Sequence, residues 1–230
     1  MSRRNKLAKF SELASLPNVY ENADPKNPRL EGLDHQSVEL KGRWAATHFK
    51  NEQPIVLELA CGRGEYTLAL AERYPHKNFI GVDIKGARIW QGAKKALEQE
   101  LSNAAFLRTR IEQIATFFAP EEVSEIWITF PDPFLRESKI NRRLTAANFI
   151  THYRKILAKD GIVQLKTDDD TLYDFTLETI EETEGCQLLY QDDNIYNKAL
   201  PVEELEIKTY YEKMHLAKLK KIKYIQFKIN

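Results

Sequence analysis

One carboxylate held between two prolines has the setting of a catalytic or binding residue. A strand-like run over residues 125–130 ends at Pro131, and Asp132 follows with Pro133 directly after it. Because each proline fixes φ and keeps the preceding residue out of a helix, Asp132 is predicted to stand on a stiff turn just beyond a strand. Four cations follow within eight residues: Arg136, Lys139, Arg142 and Arg143. An acid beside arginines that can hold phosphates favours chemistry on a nucleic acid, although a proline-bounded surface turn with solvated charges would show the same pattern.

A glycine-containing loop follows the first predicted strand in the run Glu58-Leu-Ala-Cys-Gly-Arg-Gly-Glu65. Gly62 and Gly64 allow a tight turn and close approach of a ligand before a helix N-terminus. A dinucleotide site would have a third glycine near position 67, where Thr67 stands, and Glu58 would repel a pyrophosphate. The loop therefore favours a cationic ligand over NAD.

Asp83 follows the second predicted strand, where a carboxylate can accept hydrogen bonds from both hydroxyls of a ribose. A positively charged, ribose-bearing ligand without phosphate is S-adenosylmethionine, and Glu58, Gly62, Gly64 and Asp83 are its predicted binding residues. The alternative is that the two acids only cap helices or turns.

The elements that would position these residues alternate from Ile55 onward between short apolar runs and amphipathic stretches. This is the pattern of an α/β fold with a mostly parallel sheet. The predicted strands are Ile55–Leu59, Asn78–Asp83, Ala104–Arg108, Ser124–Phe130 and Gly161–Thr167. The predicted helices are Glu65–Tyr74, Gly86–Leu101, Ile111–Phe118, Thr145–Leu157 and Thr171–Glu182. Two further strands, Gln187–Tyr190 and Tyr224–Lys228, would close one edge antiparallel.

Composition sets the outer limits. With 230 residues and 43% hydrophobic content, one domain over residues 54–230 is expected, preceded by a polar, proline-dotted arm over residues 1–53. The 34 basic and 34 acidic residues cancel, so a nucleic acid would have to be bound by a local patch. Basic residues crowd both ends of the chain: Arg3, Arg4, Lys6, Lys9, Lys213, Lys218, Lys220, Lys221, Lys223 and Lys228.

Cysteine and histidine usage indicates the compartment and the absence of a metal. The two cysteines, Cys61 and Cys186, lie in unrelated contexts, which favours a reducing, cytoplasmic compartment. The five histidines lack metal-ligand spacing, so no metal is predicted. No run reaches membrane-spanning length, so no membrane association is expected, while a monomer and a homodimer both remain open.

Six motifs together resemble the bacterial tRNA (guanine-N7)-methyltransferases over about residues 50–215. They are Glu58-Leu-Ala-Cys-Gly-Arg-Gly-Glu-Tyr66, Gly81-Val-Asp-Ile-Lys85, Phe130-Pro-Asp-Pro133, Arg142-Arg-Leu-Thr145, Leu165-Lys-Thr-Asp168 and Thr209-Tyr-Tyr-Glu212. The resemblance implies a Rossmann-like class I S-adenosylmethionine-dependent methyltransferase fold. It also implies that the substrate is a guanosine in the variable loop of tRNA.

The resemblance also implies roles for single residues. Glu58 and Asp83 would contact the cofactor, and Asp132 would lie between cofactor and guanine. The backbone N–H groups of Arg110 and Ile111 could read the adenine, although the acid that the family commonly has there is absent. The residues implied on the substrate side are Arg136, Asp168, Thr209, Tyr210 and Glu212.

Two substrate-side positions depart from the family. Arg136 stands where the family usually has lysine, and Tyr210 replaces a glutamate. Independently of the resemblance, Arg142 and Arg143 would hold phosphates, and Tyr210 and Tyr211 could stack on bases or simply pack at a rim.

The chemistry needs no strong base. Guanine N7 carries an in-plane lone pair and no proton, so positioning should dominate. Asp132 is predicted to stabilise the positive charge that develops on the purine, by electrostatics or a contact to a guanine N–H. A small-molecule methyltransferase and a catalytically silent RNA-binding subunit remain alternatives.

Overall fold

Nine strands form one sheet in the computed structural model, which describes residues 11–22 and 24–230. The strands are β1 Val19–Asn22, β2 Leu30–Glu31, β3 Ile55–Leu59, β4 Asn78–Asp83, β5 Ala104–Arg108, β6 Val123–Thr129, β7 Leu157–Thr167, β8 Cys186–Asp192 and β9 Lys223–Ile229. Their order across the sheet is β2-β1-β5-β4-β3-β6-β7-β9-β8.

Six α-helices lie wholly within the described residues. They are α1 Glu65–Arg73, α2 Gly86–Glu98, α3 Ile114–Phe117, α4 Ala147–Arg154, α5 Asp170–Glu182 and α6 Tyr210–Leu216. The first five occupy the stretches predicted to be helical, with ends that differ by a few residues. The sixth lies in the long connection between the last two strands, where no helix was delimited in advance.

The sheet is parallel from β1 through β5, β4, β3 and β6 to β7, and β9 and β8 close one edge antiparallel. This confirms the predicted α/β class and its antiparallel edge. Both faces of the central strands are buried, which explains why these strands are almost continuously apolar. The chain runs outward from β3 through β4 to β5 and then crosses to β6, so a crevice forms at the carboxyl ends of β3 and β6.

Residues 19–53 are more ordered than the predicted arm. β1 pairs in parallel with β5, and Arg108 forms an ion pair with Glu21 at 2.6 Å. A π-helical turn, Trp44–Phe49, buries Trp44 completely, and the Trp44 indole donates to the Phe117 carbonyl at 2.8 Å. Each of these elements has too few apolar residues to show a helical or strand periodicity, so the sequence did not predict them. The basic residues at positions 3, 4, 6 and 9 lie outside the described residues.

Candidate active site

A cleft of about 950 Å³ opens at the carboxyl ends of β3 to β7. It brings together most of the residues that the sequence singled out, from six separate segments of the chain. The predicted residues that line it are Glu58, Gly62, Asp83, Arg110, Ile111, Asp132, Arg142, Asp168, Thr209, Tyr210 and Tyr211. Four predicted residues do not line it: Gly64, Arg136, Arg143 and Glu212.

Glu58 is a buried carboxylate whose oxygens are both held. The backbone N–H of Thr67 donates to Oε2 at 2.8 Å, the Thr67 hydroxyl donates to the same oxygen, and the Thr129 hydroxyl donates to Oε1 at 2.8 Å. Burial raises the pKa of Glu58 to about 7, and the charge of Asp83 adds to the rise, although the hydrogen bonds from Thr67 and Thr129 oppose it. A bound cation would favour the ionised form of Glu58, so the site should bind a positively charged ligand more tightly than a neutral one.

Asp83 shapes the glycine loop as well as facing the cleft. Its Oδ2 accepts from the N–H of Gly62 at 2.9 Å, and its Oδ1 accepts from the N–H of Lys85 at 2.8 Å. Each carboxylate oxygen keeps a further lone pair for a ligand. Gly62 has φ +58°, and a Cβ there would meet no heavy atom within 4 Å, so the turn leaves open space beside it.

Gly64 has a packing role. It adopts φ +68° at the start of α1, and an added Cβ would lie 2.4 Å from Cε1 of Phe106. The Phe106 ring is fully buried, so it has little room to move away. Gly64 thus sets the approach of α1 to the sheet, and its expected contact with the cofactor is not supported by its position.

Asp132 stands exposed at the cleft, on a turn that begins and ends in left-handed conformations. Phe130 has φ +47° and Phe134 has φ +42°, which is costly for residues with a Cβ. The Phe134 N–H donates to Oδ1 of Asp132 at 3.0 Å, and the Phe130 N–H donates to the Lys166 carbonyl at 2.8 Å. The carboxylate of Asp132 is therefore held in one direction through its Oδ1 atom.

The three arginines after Asp132 differ in burial: Arg143 is buried, whereas Arg136 and Arg142 are exposed. Arg143 is 4% exposed, and its Nε donates to the Pro133 carbonyl at 2.9 Å, with its guanidinium 4.4 Å from the centre of the Phe175 ring. Arg143 does not line the cleft, and its guanidinium holds the turn that follows Asp132, so its contact with a phosphate stays a prediction. Arg142 lines the cleft, and Arg136 is exposed outside it, so both remain available to an anion.

Asp168 is contacted by His215 in the last turn of α6 and by Lys220 just after that helix. Its Oδ2 forms an ion pair with Lys220 and lies 2.9 Å from Nδ1 of His215, and all three residues line the cleft. Asp169 caps the N-terminus of α5 by accepting from the Leu172 N–H at 2.8 Å. Asp168 and Asp169 both line the cleft, and Asp169 also serves as the N-terminal cap of α5.

The segment Thr209–Glu212 has an outer and an inner side. Thr209 caps α6 by accepting from the Glu212 N–H at 3.2 Å, and Tyr210 and Tyr211 are about half exposed at the cleft. Glu212 is fully buried and lies 2.8 Å from Nζ of Lys166. Glu212 does not line the cleft and is held in a buried ion pair, so its contact with the substrate stays a prediction.

The start of a short 3₁₀ turn, Ile111–Gln113, forms another part of the cleft wall. Arg110 and Ile111 line the cleft there, and the first N–H groups of such a turn have no partner within it. Glu112 is exposed and also lines the cleft, so an acid is present near the place where the family commonly has one.

The sequence reasoning missed several residues of the site. Thr67 and Thr129 donate hydrogen bonds to Glu58. Thr129 could have been predicted, because it is a hydroxyl residue at the end of a strand. Further cations line the cleft: Arg63, Lys85, Arg88 and Lys220. Arg63 could have been noticed between the two glycines, and its guanidinium lies 5.8 Å from the centre of the Tyr210 ring.

The described residues contain neither a group able to hold a metal ion nor a helix able to span a membrane. No group of three or more His, Cys, Asp or Glu side chains in residues 11–22 and 24–230 could hold a metal ion. Within the same residues, no helix is long and apolar enough to cross a membrane.

Known proteins resemble this chain in both sequence and fold. A family described as "Putative methyltransferase" matches residues 52–225. A tRNA (guanine-N(7)-)-methyltransferase of Christiangramia forsetii is 48% identical over 230 residues, which is 100% of both chains. A protein of the same name from Bacteroides fragilis is 46% identical over 97% of this chain and 85% of its own. The 16S rRNA methyltransferase KamB superposes with a TM-score of 0.62 at 12% identity, over 85% of this chain and 96% of that one, which shows a shared fold alone.

Proposed function

The chain belongs to the tRNA (guanine-N(7)-)-methyltransferase family, and on that premise we propose that it transfers a methyl group from S-adenosylmethionine to N7 of a guanosine in the variable loop of tRNA. One observation carries the proposal. Asp132 lines the same cleft as Glu58, Asp83 and the Gly62 turn, so a cofactor-type site and a candidate catalytic acid share one space.

The residues at the glycine-loop end of the cleft fit S-adenosylmethionine. Two carboxylates, Glu58 and Asp83, suit a ligand with positive charge and ribose hydroxyls, whereas they would repel a pyrophosphate. The open space beside Gly62 admits the ligand close to the backbone. Arg110 and Ile111 offer backbone N–H groups for an adenine.

When bound, S-adenosylmethionine would supply the methyl group. The work of the chain is then to orient the guanine and to stabilise charge, since N7 has no proton to remove. Asp132, held in direction by the Phe134 N–H, would place negative charge beside the purine as it becomes cationic. Arg142 and the exposed Arg136 would bind phosphates of the RNA backbone.

An RNA partner is also consistent with the surface around the cleft. Guanine N7 lies in the deep, narrow groove of an A-form helix, so the target must be unstacked or lie in an irregular region to be reached. Half-exposed Tyr210 and Tyr211 stand at the cleft as candidate surfaces for an exposed base.

The test is transfer of a labelled methyl group to unmodified tRNA transcripts that carry or lack the variable-loop guanosine. We expect product only with that guanosine, and strand scission specific for N7-methylguanosine should map to it. Transfer to both transcripts would contradict the proposed position. No transfer despite cofactor binding would favour a small-molecule methyltransferase, and no cofactor binding would favour a silent RNA-binding subunit.

A further inference from the structure

Lys166 is a lysine whose side chain is fully buried. It lies on β7, two residues before Asp168, and its side chain is 0% exposed. Its Nζ donates to the carbonyls of Leu205 and Ile207 at 3.0 Å each and lies 2.8 Å from Oε1 of Glu212. An ammonium has three N–H donors, so these three acceptors use all of them.

All three acceptors belong to one segment, residues 203–212, which precedes and enters α6. Tyr196 also donates its hydroxyl to Oε1 of Glu212. Burial lowers the pKa of Lys166, and the carboxylate of Glu212 opposes that shift. A buried ion pair is often no more stable than well-packed apolar side chains of similar volume. Unlike apolar packing, the pair imposes a specific geometry. The three acceptors that converge on Nζ of Lys166 fix the position of residues 203–212.

The fixed segment carries one wall of the cleft. Thr209 caps α6 through the Glu212 N–H, and the Tyr210 N–H donates to Oε2 of Glu65 at 2.6 Å. Tyr210 and Tyr211 therefore stand within one helical turn of the buried carboxylate.

The backbone of Lys166 contacts the turn that carries Asp132. Its carbonyl accepts from the N–H of Phe130 at 2.8 Å, and Phe130 begins the turn that presents Asp132. Lys166 also pairs with Thr129 across β6 and β7. One residue thus contacts the Asp132 turn through its backbone and the tyrosine wall through its side chain.

We propose that Lys166 is a positioning residue for RNA methylation, which sets the distance between the Thr209–Tyr211 wall and Asp132 and so the width of the guanine pocket. The inference rests on the proposed function. Lys166 itself touches neither cofactor nor substrate, because its ammonium is enclosed by the residues named above.

The first test is Lys166→Met, which keeps most of the side-chain length and removes the ammonium. We expect kcat/KM for tRNA to fall about 100-fold, the loss typical of a small misplacement of reacting groups. The Kd of S-adenosylmethionine should change less than about twofold, since Glu58 and Asp83 are unaffected. Amide hydrogen exchange should rise over residues 203–216 and stay unchanged over residues 78–83.

Two further variants separate positioning from stability. Lys166→Met combined with Glu212→Met removes both charges, so it should recover most of the Tm lost by the single variant while kcat/KM for tRNA stays low. Lys77→Met is the matched control, because it breaks the partly buried Lys77–Glu125 pair at the opposite end of the sheet. It should leave kcat/KM for tRNA unchanged.

The proposal is overturned if the double variant regains kcat/KM together with Tm, or if Lys166→Met leaves exchange over residues 203–216 as in the wild type. If Lys166→Met does not fold, Glu212→Gln keeps the shape and an acceptor, and it should lower kcat/KM for tRNA in the same direction but less. A wild-type protein that does not methylate tRNA would defeat the proposed function, whereas the exchange measurement would still decide whether Lys166 holds the wall.

Discussion

At the scale of residues, three carboxylates in the cleft differ in how they are held. Glu58 and Asp83 are buried and accept hydrogen bonds on both oxygens, whereas Asp132 is exposed and accepts from the Phe134 N–H on Oδ1. The first two are therefore suited to bind a ligand in a fixed pose. Asp132 has the most freedom to approach a guanine that enters from solvent.

Asp132→Asn tests the catalytic assignment. The amide keeps the size of the side chain but removes the negative charge that would stabilise a cationic purine, so kcat should fall about 100-fold or more. The Kd values of S-adenosylmethionine and tRNA should change little, and both are measured directly by titration. A variant that binds both ligands and keeps most of its kcat would show that Asp132 is not the stabilising group.

Glu58 should make cofactor affinity depend on pH. Its pKa is about 7 in the free protein, so ionisation is incomplete below neutrality, and a cationic ligand should bind about tenfold more tightly at about pH 8 than at about pH 6. Glu58→Gln should bind more weakly and lose this dependence. Titration of the ligand itself is common to both proteins, so the difference between their pH profiles isolates Glu58.

The same group affects stability with a defined sign. The folded state holds the Glu58 proton more tightly than the unfolded chain does, so this contribution to stability is present below the ordinary carboxyl pKa and is lost as the pH rises to about 7. A free protein whose denaturant midpoint has the same pH dependence in the wild type and in Glu58→Gln would contradict the assignment.

At the scale of elements, Phe106 on β5 sets how closely the helices approach the sheet. Its buried ring lies where a Cβ on any of three glycines would come within 3.0 Å of it: Gly64, Gly81 and Gly92. These glycines come from the start of α1, from β4 and from α2. The packing of the Phe106 ring against these glycines therefore positions the loop that contains Gly62.

Gly64→Ala and Gly62→Ala form a matched pair, because both positions have positive φ. Alanine at either should cost about 1–2 kcal/mol of backbone strain. At position 64 the clash with Phe106 should add about 1–3 kcal/mol, as in other overpacked cores. Denaturant unfolding measures the difference, and equal losses would mean that the Phe106 ring can shift aside.

At the scale of the whole molecule, a zero net charge hides an uneven distribution. Lys85, Arg88, Arg110 and Arg142 line the cleft, whereas Lys228 aligns with Ile162 at the other end of the sheet. The lysines between Lys213 and Lys228 are close together in the sequence, but they therefore do not form one surface. The cleft lining also carries seven carboxylates against six Lys and Arg side chains. A tRNA would therefore be held by contacts to individual cations, Arg142 in the cleft and Arg136 outside it, rather than by a net positive field.

Salt dependence of tRNA binding tests this picture. The logarithm of the affinity should fall linearly with the logarithm of the salt concentration, and Arg136→Ala should reduce the slope by about one. Lys228→Ala, which breaks the pair with Asp160 far from the cleft, should leave the slope unchanged. Equal effects of the two variants would indicate binding without a defined surface.

Local patterns of residues were enough to predict most strands and helices, the family and the cofactor-type loop. These features depend on local signals: apolar runs of strand length, glycines before a helix, and acids just beyond strand ends. The strands Ile55–Leu59, Asn78–Asp83 and Ala104–Arg108 have the bounds predicted for them. The comparisons with known proteins confirm the predicted family.

The tertiary structure alone decided which charged residues face the cleft and which lie beneath it. Arg142 and Arg143 are neighbours of the same type, yet one lines the cleft and the other is buried against Pro133 and Phe175. Glu212 and Lys166 lie far apart in sequence and form a buried pair that no local pattern could indicate. The physical reason is that burial and ion pairing depend on which distant segments pack together. The type of a charged residue is the same whether its side chain binds a ligand or forms a buried ion pair behind the site.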